Sequence, residues 1–299
     1  MKKHKQTLLQ SEHRAAFICM FPSIIGLIFL TYIPLAAVFG LSLFNWEGVG
    51  VPHWVGLQNY LKLFKRPDFE DSLKATLLFA FLAVAGSMIY SLFIAMLLNR
   101  KVPARGFFRA IFYLPYVLPA MAVYLGWSWL YDTNYGLFNY ILQLFGIERV
   151  MFLGSKDLVV PSLALIAVWL SGNLIVIFLA GLQNVPRVYH EAAEIDGASS
   201  WQRFCHVTVP SMSPIIFYNL LMALITNIQV VTPALALTQG GPGKSSTFLS
   251  YLMYMNAFKY SKFSFACAIA FVIFIIIGFF TLILFATSMK WVFYEGGTD

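Results

Sequence analysis

Six windows of the chain contain no Asp, Glu, Lys or Arg: Ala15 to Trp46, Ala75 to Asn99, Ala110 to Tyr131, Leu158 to Pro186, Phe204 to Gly243 and Phe263 to Met289. Each can hold the roughly 20 apolar residues that cross a hydrocarbon core about 30 Å thick. The windows predict six transmembrane helices, near 16–44, 73–98, 107–131, 158–183, 212–237 and 263–288. Spanning strands are not expected, because barrel strands alternate apolar and polar side chains and these windows do not. The expected fold class is an all-α integral membrane protein.

The segments between the windows are short. The first window follows Lys2, Lys3, Lys5 and Arg14, as the apolar core of a signal peptide would. Its apolar stretch is longer than such a core, and no A-x-A site closes it, so it reads as a retained helix that also anchors the chain. Pro22 and Pro34 are candidate kinks. The stretch 47–72 sets Trp54, Tyr60, Leu61, Leu63 and Phe64 beside Lys62, Lys65 and Arg66, the composition of an amphipathic interfacial helix. Gly136 to Gly146 is apolar but too short to span, and it reads as a segment at the outer interface or against a partner.

Composition agrees with the pattern. Of 299 residues 60% are hydrophobic and only 11% charged, against about 25% charged in soluble domains. The 29 Phe, 15 Tyr and 7 Trp exclude disorder, and three cysteines without an evident pair exclude a disulfide scaffold. The net charge of +7 reads as topology and not as nucleic-acid binding, because the basic residues sit in short loops. Four lie in the N-terminal tail and four more, Arg100, Lys101, Arg105 and Arg109, in one loop. These two clusters place both termini in the cytoplasm, although the whole count divides only eleven to nine. The organisation expected is a cytoplasmic tail 1–14, a membrane domain 15–290 and a cytoplasmic tail 291–299.

No ionisable residue falls in the middle of a predicted span, which disfavours proton coupling and voltage sensing. Sodium coupling through carbonyls and hydroxyls remains open. No Walker GxxxxGK[ST] sequence is present, so energy for pumping would come from another subunit. The five histidines lie in tails or loops without metal-ligand or catalytic spacing, and the chain is not expected to be an enzyme or to bind a cofactor or metal. Uncharged polar side chains do occur inside spans. The fourth holds Trp169, Ser171, Gly172 and Asn173, and the fifth holds Asn219, Thr226, Asn227 and Gln229. They read equally as hydrogen bonds between helices or as a polar cavity for a hydroxylated solute near the bilayer midplane.

The loop 184–213 reads as two short helices. Pro186 can start the first and Gly197 can end it in the left-handed conformation. Ser199 and Gln202 form a capping box for the second. Ala192, Ala193, Gly197 and Ala198 leave little bulk, so this corner can enter a groove on another protein, to which Glu191 and Glu194 offer charge.

The run EAAEIDGASSWQRFCHVTVP resembles the EAA loop of the membrane subunits of ATP-binding-cassette importers. Glu191, Ala192, Ala193, Gly197 and Pro210 fall in register, while Val207 and Val209 stand where that pattern has Ile and Leu. VGLQNYLKLF near Val55, FFRAIFYLPYVLPAMAVYLGWSWLYDTNYGLFN from Phe107 and TQGGPGKSSTFLSYLMYMNAF from Thr238 are similar to the sugar-permease branch, the maltose and glycerol-phosphate type, and most similar to the first of its two permeases. The resemblance runs from about Ala15 to Trp291. The extracytoplasmic insertion and extra N-terminal helices of the maltose-type subunit are absent.

The resemblance implies a type I importer fold working as a heterodimer with a second permease, two ATPase subunits that carry ATP and Mg, and an extracytoplasmic solute-binding protein that delivers a sugar. It implies that the first loop helix couples to the ATPase through Glu191, Ala192, Ala193, Asp196, Gly197 and Pro210. It places solute contacts near Trp169, Gly172, Asn173, Ala223 and Asn227, beside Gln229, and puts the Gly240–Gly241–Pro242 loop on the outer face, where a plain turn is the simpler reading. The reading taken forward is the permease subunit of a carbohydrate importer in a bacterial cell membrane. The alternatives are a stand-alone secondary transporter or channel, and a structural scaffold.

Overall fold

The computed structural model describes residues 16–100 and 103–293. The predicted tail 1–14, Lys101 in the basic loop, and the tail beyond Phe293 lie outside the described residues. The described chain is almost wholly helical. Three helices are long and apolar enough to cross a membrane: α1 (Ala16–Ser42), α3 (Pro67–Asn99) and α13 (Phe263–Ser288). Three bent pairs bring the possible spans to six, as the charge-free windows predicted. They are α4 (Arg105–Val117) with α5 (Ala120–Leu130), α7 (Val159–Trp169) with α8 (Gly172–Asn184), and α10 (Ser200–Ser211) with α11 (Ser213–Ile228). Shorter helices are α2 (Gln58–Phe64), α6 (Leu137–Leu144), α9 (Arg187–Ile195) and α12 (Leu249–Tyr254).

The bends correct the expectation of unbroken spans. The third span turns by 99° between α4 and α5. Leu118 precedes Pro119 and is pushed into the extended region (φ −67°, ψ 147°), because the proline ring clashes with a helical residue before it. The fourth bends by 48° at Leu170–Ser171, where a Ser–Gly pair weakens the helical ladder. The fifth stops at Ile228 and not near 237, since Pro233 cannot donate to the ladder and its ring opposes the carbonyl four residues earlier. A single helical turn, Ala234–Thr238, follows. The second span begins earlier than expected, at Pro67, whose fixed φ suits a first helical turn.

The described residues form two compact units. One comprises the described residues to Leu63 with Met253–Phe271. In it Asn59 donates its amide to the carbonyls of Ser42 (2.8 Å) and Phe44 (2.7 Å), and the Ser42 and Tyr60 hydroxyls lie 2.5 Å apart. A two-residue antiparallel ladder, Phe44–Asn45 with His53–Trp54, closes the turn between them. The expected amphipathic segment 47–72 is therefore part hairpin and part helix: α2 buries Leu63 and leaves Leu61 and Phe64 exposed.

The other unit, the described residues of 64–252 with 272–293, holds the main core. On α3 seven of the twelve buried residues are small and recur at helical spacing, Ser72, Ala75, Ala80, Ala83, Ser87, Ser91 and Ala95. Small side chains let neighbouring helices approach closely in lipid, where packing replaces the hydrophobic drive. Ile94, Leu98, Ile175, Phe178, Leu179, Leu182 and Met212 fill the core between α3, α8 and the start of α11. The outward faces are apolar too, with Phe81, Ile89 and Leu282 among the most exposed side chains, as a lipid-facing surface requires.

Candidate solute cavity and coupling corner

Two of the bends, at Leu118–Pro119 and Leu170–Ser171, and the far end of α11 converge on one cavity of about 560 Å³. Phe79 and Ser87 of α3, Tyr116 and Leu118 at the end of α4, and Ala120 and Tyr124 of α5 form part of its wall. Leu170, Ser171, Asn173 and Leu174 come from the α7–α8 break, and Met222, Ala223, Thr226, Asn227 and Gln229 from the end of α11. Ala167 and Val230 to Pro233 complete the lining. None of the lining side chains is ionisable at neutral pH.

The wall offers hydrogen-bonding groups that the chain itself leaves free. Asn227 donates to the Ala223 carbonyl one turn back at 2.8 Å, so its amide oxygen is spare. Asn173 and Gln229 have no side-chain hydrogen bond within the described residues. Tyr124 is a buried residue whose hydroxyl makes no hydrogen bond among the described residues. Ser171 is committed instead: it donates to the Val168 carbonyl at 2.6 Å and meets the Ser91 hydroxyl at 2.9 Å.

Of the six residues expected near a solute, Asn173, Ala223, Asn227 and Gln229 come together in this wall. Trp169 and Gly172 do not line it. Trp169 packs edge-on to Trp127, with ring centroids 5.6 Å apart. Trp127 in turn packs on Tyr131 and Phe138. Gly172 sits where α8 meets α4, and a Cβ there would fall 2.8 Å from the Phe112 carbonyl oxygen. Its need is close approach of two backbones.

The α3 and α4–α5 contributions, Ser87, Tyr116 and Tyr124, were not singled out from the sequence. The signal was the spacing of Pro115 and Pro119 within a predicted span. It marks a break, and backbone breaks at membrane depth are tolerated where they line a cavity.

The caps of the loop corner match their sequence reading. After α9, Gly197 takes φ +78°. The Ala198 amide donates to the Ala193 carbonyl (2.9 Å) and the Gly197 amide to that of Glu194 (3.1 Å), the paired bonds of a Schellman cap. The capping box follows: the Gln202 amide donates to Ser199 Oγ (3.3 Å), and the Ser199 amide to Gln202 Oε1 (2.8 Å). Pro186 precedes the first helical residue and does not occupy it.

Glu191, Ala192, Asp196 and Gly197 are exposed, and Ala193 is half-buried. Glu194 pairs with Arg203 at 2.9 Å, bracing α9 against α10. Ala193, Asp196, Gly197, Ala198, Gln202, Arg203 and His206 line a hollow of about 270 Å³. Val188 and Ile195, seven residues apart, project from α9 into solvent together with Trp201 of α10. Pro210 lies inside α10, and its carbonyl accepts from Ser213 Oγ at 2.7 Å, at the joint into α11.

Residues 87–291 match the family described as the inner membrane component of binding-protein-dependent transport systems. The chain is 35% identical over 300 residues to the probable ABC transporter permease protein YesP of Bacillus subtilis (strain 168), covering 99% of this chain and 96% of that one. It is 30% identical to the trehalose/maltose transport system permease protein MalF of Thermococcus litoralis, covering 91% and 92%. The fold is that of a subunit of a bacterial ABC transporter that imports the acidic polysaccharide alginate: TM-score 0.80, 21% identity, 95% of this chain and 99% of the other. A six-span chain with a capped EAA corner and a cavity at its helix breaks thus belongs to the inner-membrane permease family of binding-protein-dependent ABC transporters.

Proposed function

We propose that this permease carries a carbohydrate through the cavity at the span breaks, driven by ATP hydrolysed on partner chains. The observation that supports it is the uncharged wall of spare amides and phenols. A sugar presents hydroxyls that pair with Asn173, Asn227 and Gln229 and apolar ring faces that suit Tyr116 and Tyr124. Relatives named for trehalose and maltose, for multiple sugars and for sulfoquinovosyl glycerol support the same solute class.

In this reading the chain pairs with a second homologous permease that closes the open side of the cavity. A solute-binding protein delivers the sugar, as in a structure of the alginate transporter in complex with its periplasmic protein. Two ATPase subunits hold ATP and Mg and dock on the α9–α10 corner. Glu191, Ala192, Ala193, Asp196 and Gly197 form the docking face, and Pro210 the joint that passes the motion to α11. Both termini and the corner then lie in the cytoplasm, by the basic clusters around Arg14 and Arg100–Arg109.

Reconstitution tests the reading. The purified chain alone in liposomes is expected neither to hydrolyse ATP nor to accumulate sugar, and the assembled transporter to do both. Concentrative uptake by this chain alone under a sodium or proton gradient would establish the rival, a stand-alone secondary transporter.

A further inference from the structure

The helix α6 exposes an apolar stripe. Leu137, Tyr140, Ile141 and Leu144, at helical spacing, form one stripe, and it points away from the protein: Tyr140 is 62% exposed and Leu144 68%. The amide of Asn139 points inward and is 1% exposed. It donates to the carbonyls of Asp132 (3.2 Å) and Val150 (2.9 Å) and accepts from the Val150 amide (2.8 Å). Asn139 therefore ties the helix to the chain on both sides of it, and Phe138 packs 5.3 Å from the Tyr131 ring. The orientation is thus held by hydrogen bonds that rotation of the helix would break.

A helix in water turns its apolar stripe inward and its amide outward. This one keeps Asn139 inward with the half-buried Phe138 and Leu142 and leaves four apolar side chains outside, so the medium on its outer side is apolar. The stretch from Gly136 to Ile147 carries no charge, which does not suit the polar surface of a soluble protein. At eight residues the helix is too short to span. Tyr135 and Tyr140 are the side chains that collect at a membrane–water boundary. We infer that α6 lies flat in the lipid headgroup–acyl boundary, with Leu137, Tyr140, Ile141 and Leu144 bedded in lipid and Asn139 as the pin.

The test uses the full chain in phosphatidylethanolamine–phosphatidylglycerol vesicles, alone and co-assembled with the other transporter subunits. Cys19, Cys205 and Cys267 are replaced by Ser. Tyr140→Cys and Leu144→Cys carry bimane, and Glu148→Cys is the aqueous control. Both positions are exposed, so labelling does not disturb the fold, and sugar uptake is followed in parallel. Lipids with a nitroxide at a shallow acyl carbon are expected to quench both α6 labels more than deep-nitroxide lipids do, and more than iodide does. The control should show the reverse order. Stronger quenching by iodide than by lipid at positions 140 and 144 overturns the proposal in favour of a water-facing helix. Loss of lipid quenching on co-assembly overturns it in favour of a subunit contact. Normal uptake with either result leaves the transport reading standing and rejects only the bedding of α6.

Discussion

Ser91 and Ser171, 80 residues apart, hold their hydroxyl oxygens 2.9 Å from each other. Ser171 gives its proton to the Val168 carbonyl, so its oxygen accepts from Ser91. The bend between α7 and α8 is in this way fastened to α3, and Asn173 is aimed into the cavity from a fixed point.

Ser171→Ala removes both bonds and leaves the Ser91 hydroxyl only the long contact to the backbone carbonyl of residue 171, 3.3 Å away, while Ser91→Ala leaves the 2.6 Å bond to Val168. At about 1 kcal/mol per buried neutral hydrogen bond, Ser171→Ala is expected to lower the thermal midpoint in detergent more than Ser91→Ala. Equal midpoints for both variants and the parent chain would mean that the bend holds without the pair.

At the cavity, losing one neutral hydrogen bond to the solute costs about 0.5–1.5 kcal/mol, a several-fold loss of transport. Asn173→Ala, Asn227→Ala and Gln229→Ala are each expected to show it in uptake assays with the transporter still assembled. Trp169→Phe, outside the wall, should transport at the parent rate. Normal transport by all three amide variants would reassign the amides to helix contacts.

No atom lies within 4 Å of a Cβ built on Gly197, so a side chain there meets only the cost of its left-handed backbone, about 1–2 kcal/mol. Gly197→Asp should insert normally but lose co-purifying ATPase and sugar uptake. Glu191→Lys, exposed and unstrained, should weaken the same association without affecting stability. Retention of the ATPase at normal import rates by both variants would remove this corner from coupling.

For orientation, single cysteines at Ser199 and Ser245 in the cysteine-free background report opposite faces. An impermeant thiol reagent applied to whole cells should label position 245 and spare 199. The converse labelling would invert the topology.

Lys244 Nζ lies 2.6 Å from Asp68 Oδ1, and Arg66 lies 2.9 Å from the other carboxylate oxygen. Exposed pairs contribute about 0–1 kcal/mol each. Lys244→Ala is therefore expected to leave the thermal midpoint nearly unchanged while raising protease cleavage of the 238–247 loop. An unchanged cleavage rate would show that the loop's own hydrogen bonds suffice, Ser246 Oγ to Thr238 Oγ1 at 2.6 Å among them.

The class of the molecule, its six possible spans and the capped corner at Gly197 were legible in the sequence, because each rests on local physics. Hydrocarbon thickness sets how long a charge-free run must be. A glycine and a Ser-x-x-Gln box dictate their caps within a few residues. The amides of Asn173, Asn227 and Gln229 were visible as anomalies in apolar runs for the same reason. Tertiary structure alone decided which polar groups share a wall. Whether a side chain on a bent span faces a cavity depends on the angle at the break and on what packs behind it. The turn at Leu118–Pro119 brings Tyr116 and Tyr124 to the cavity, and the bend at Ser171 sends Trp169 away from it, although it is only four residues from Asn173. The inward amide of Asn139 was equally hidden. Periodicity reveals that α6 has an apolar stripe, but only partners 7 and 11 residues away, at Asp132 and Val150, determine which way that stripe points.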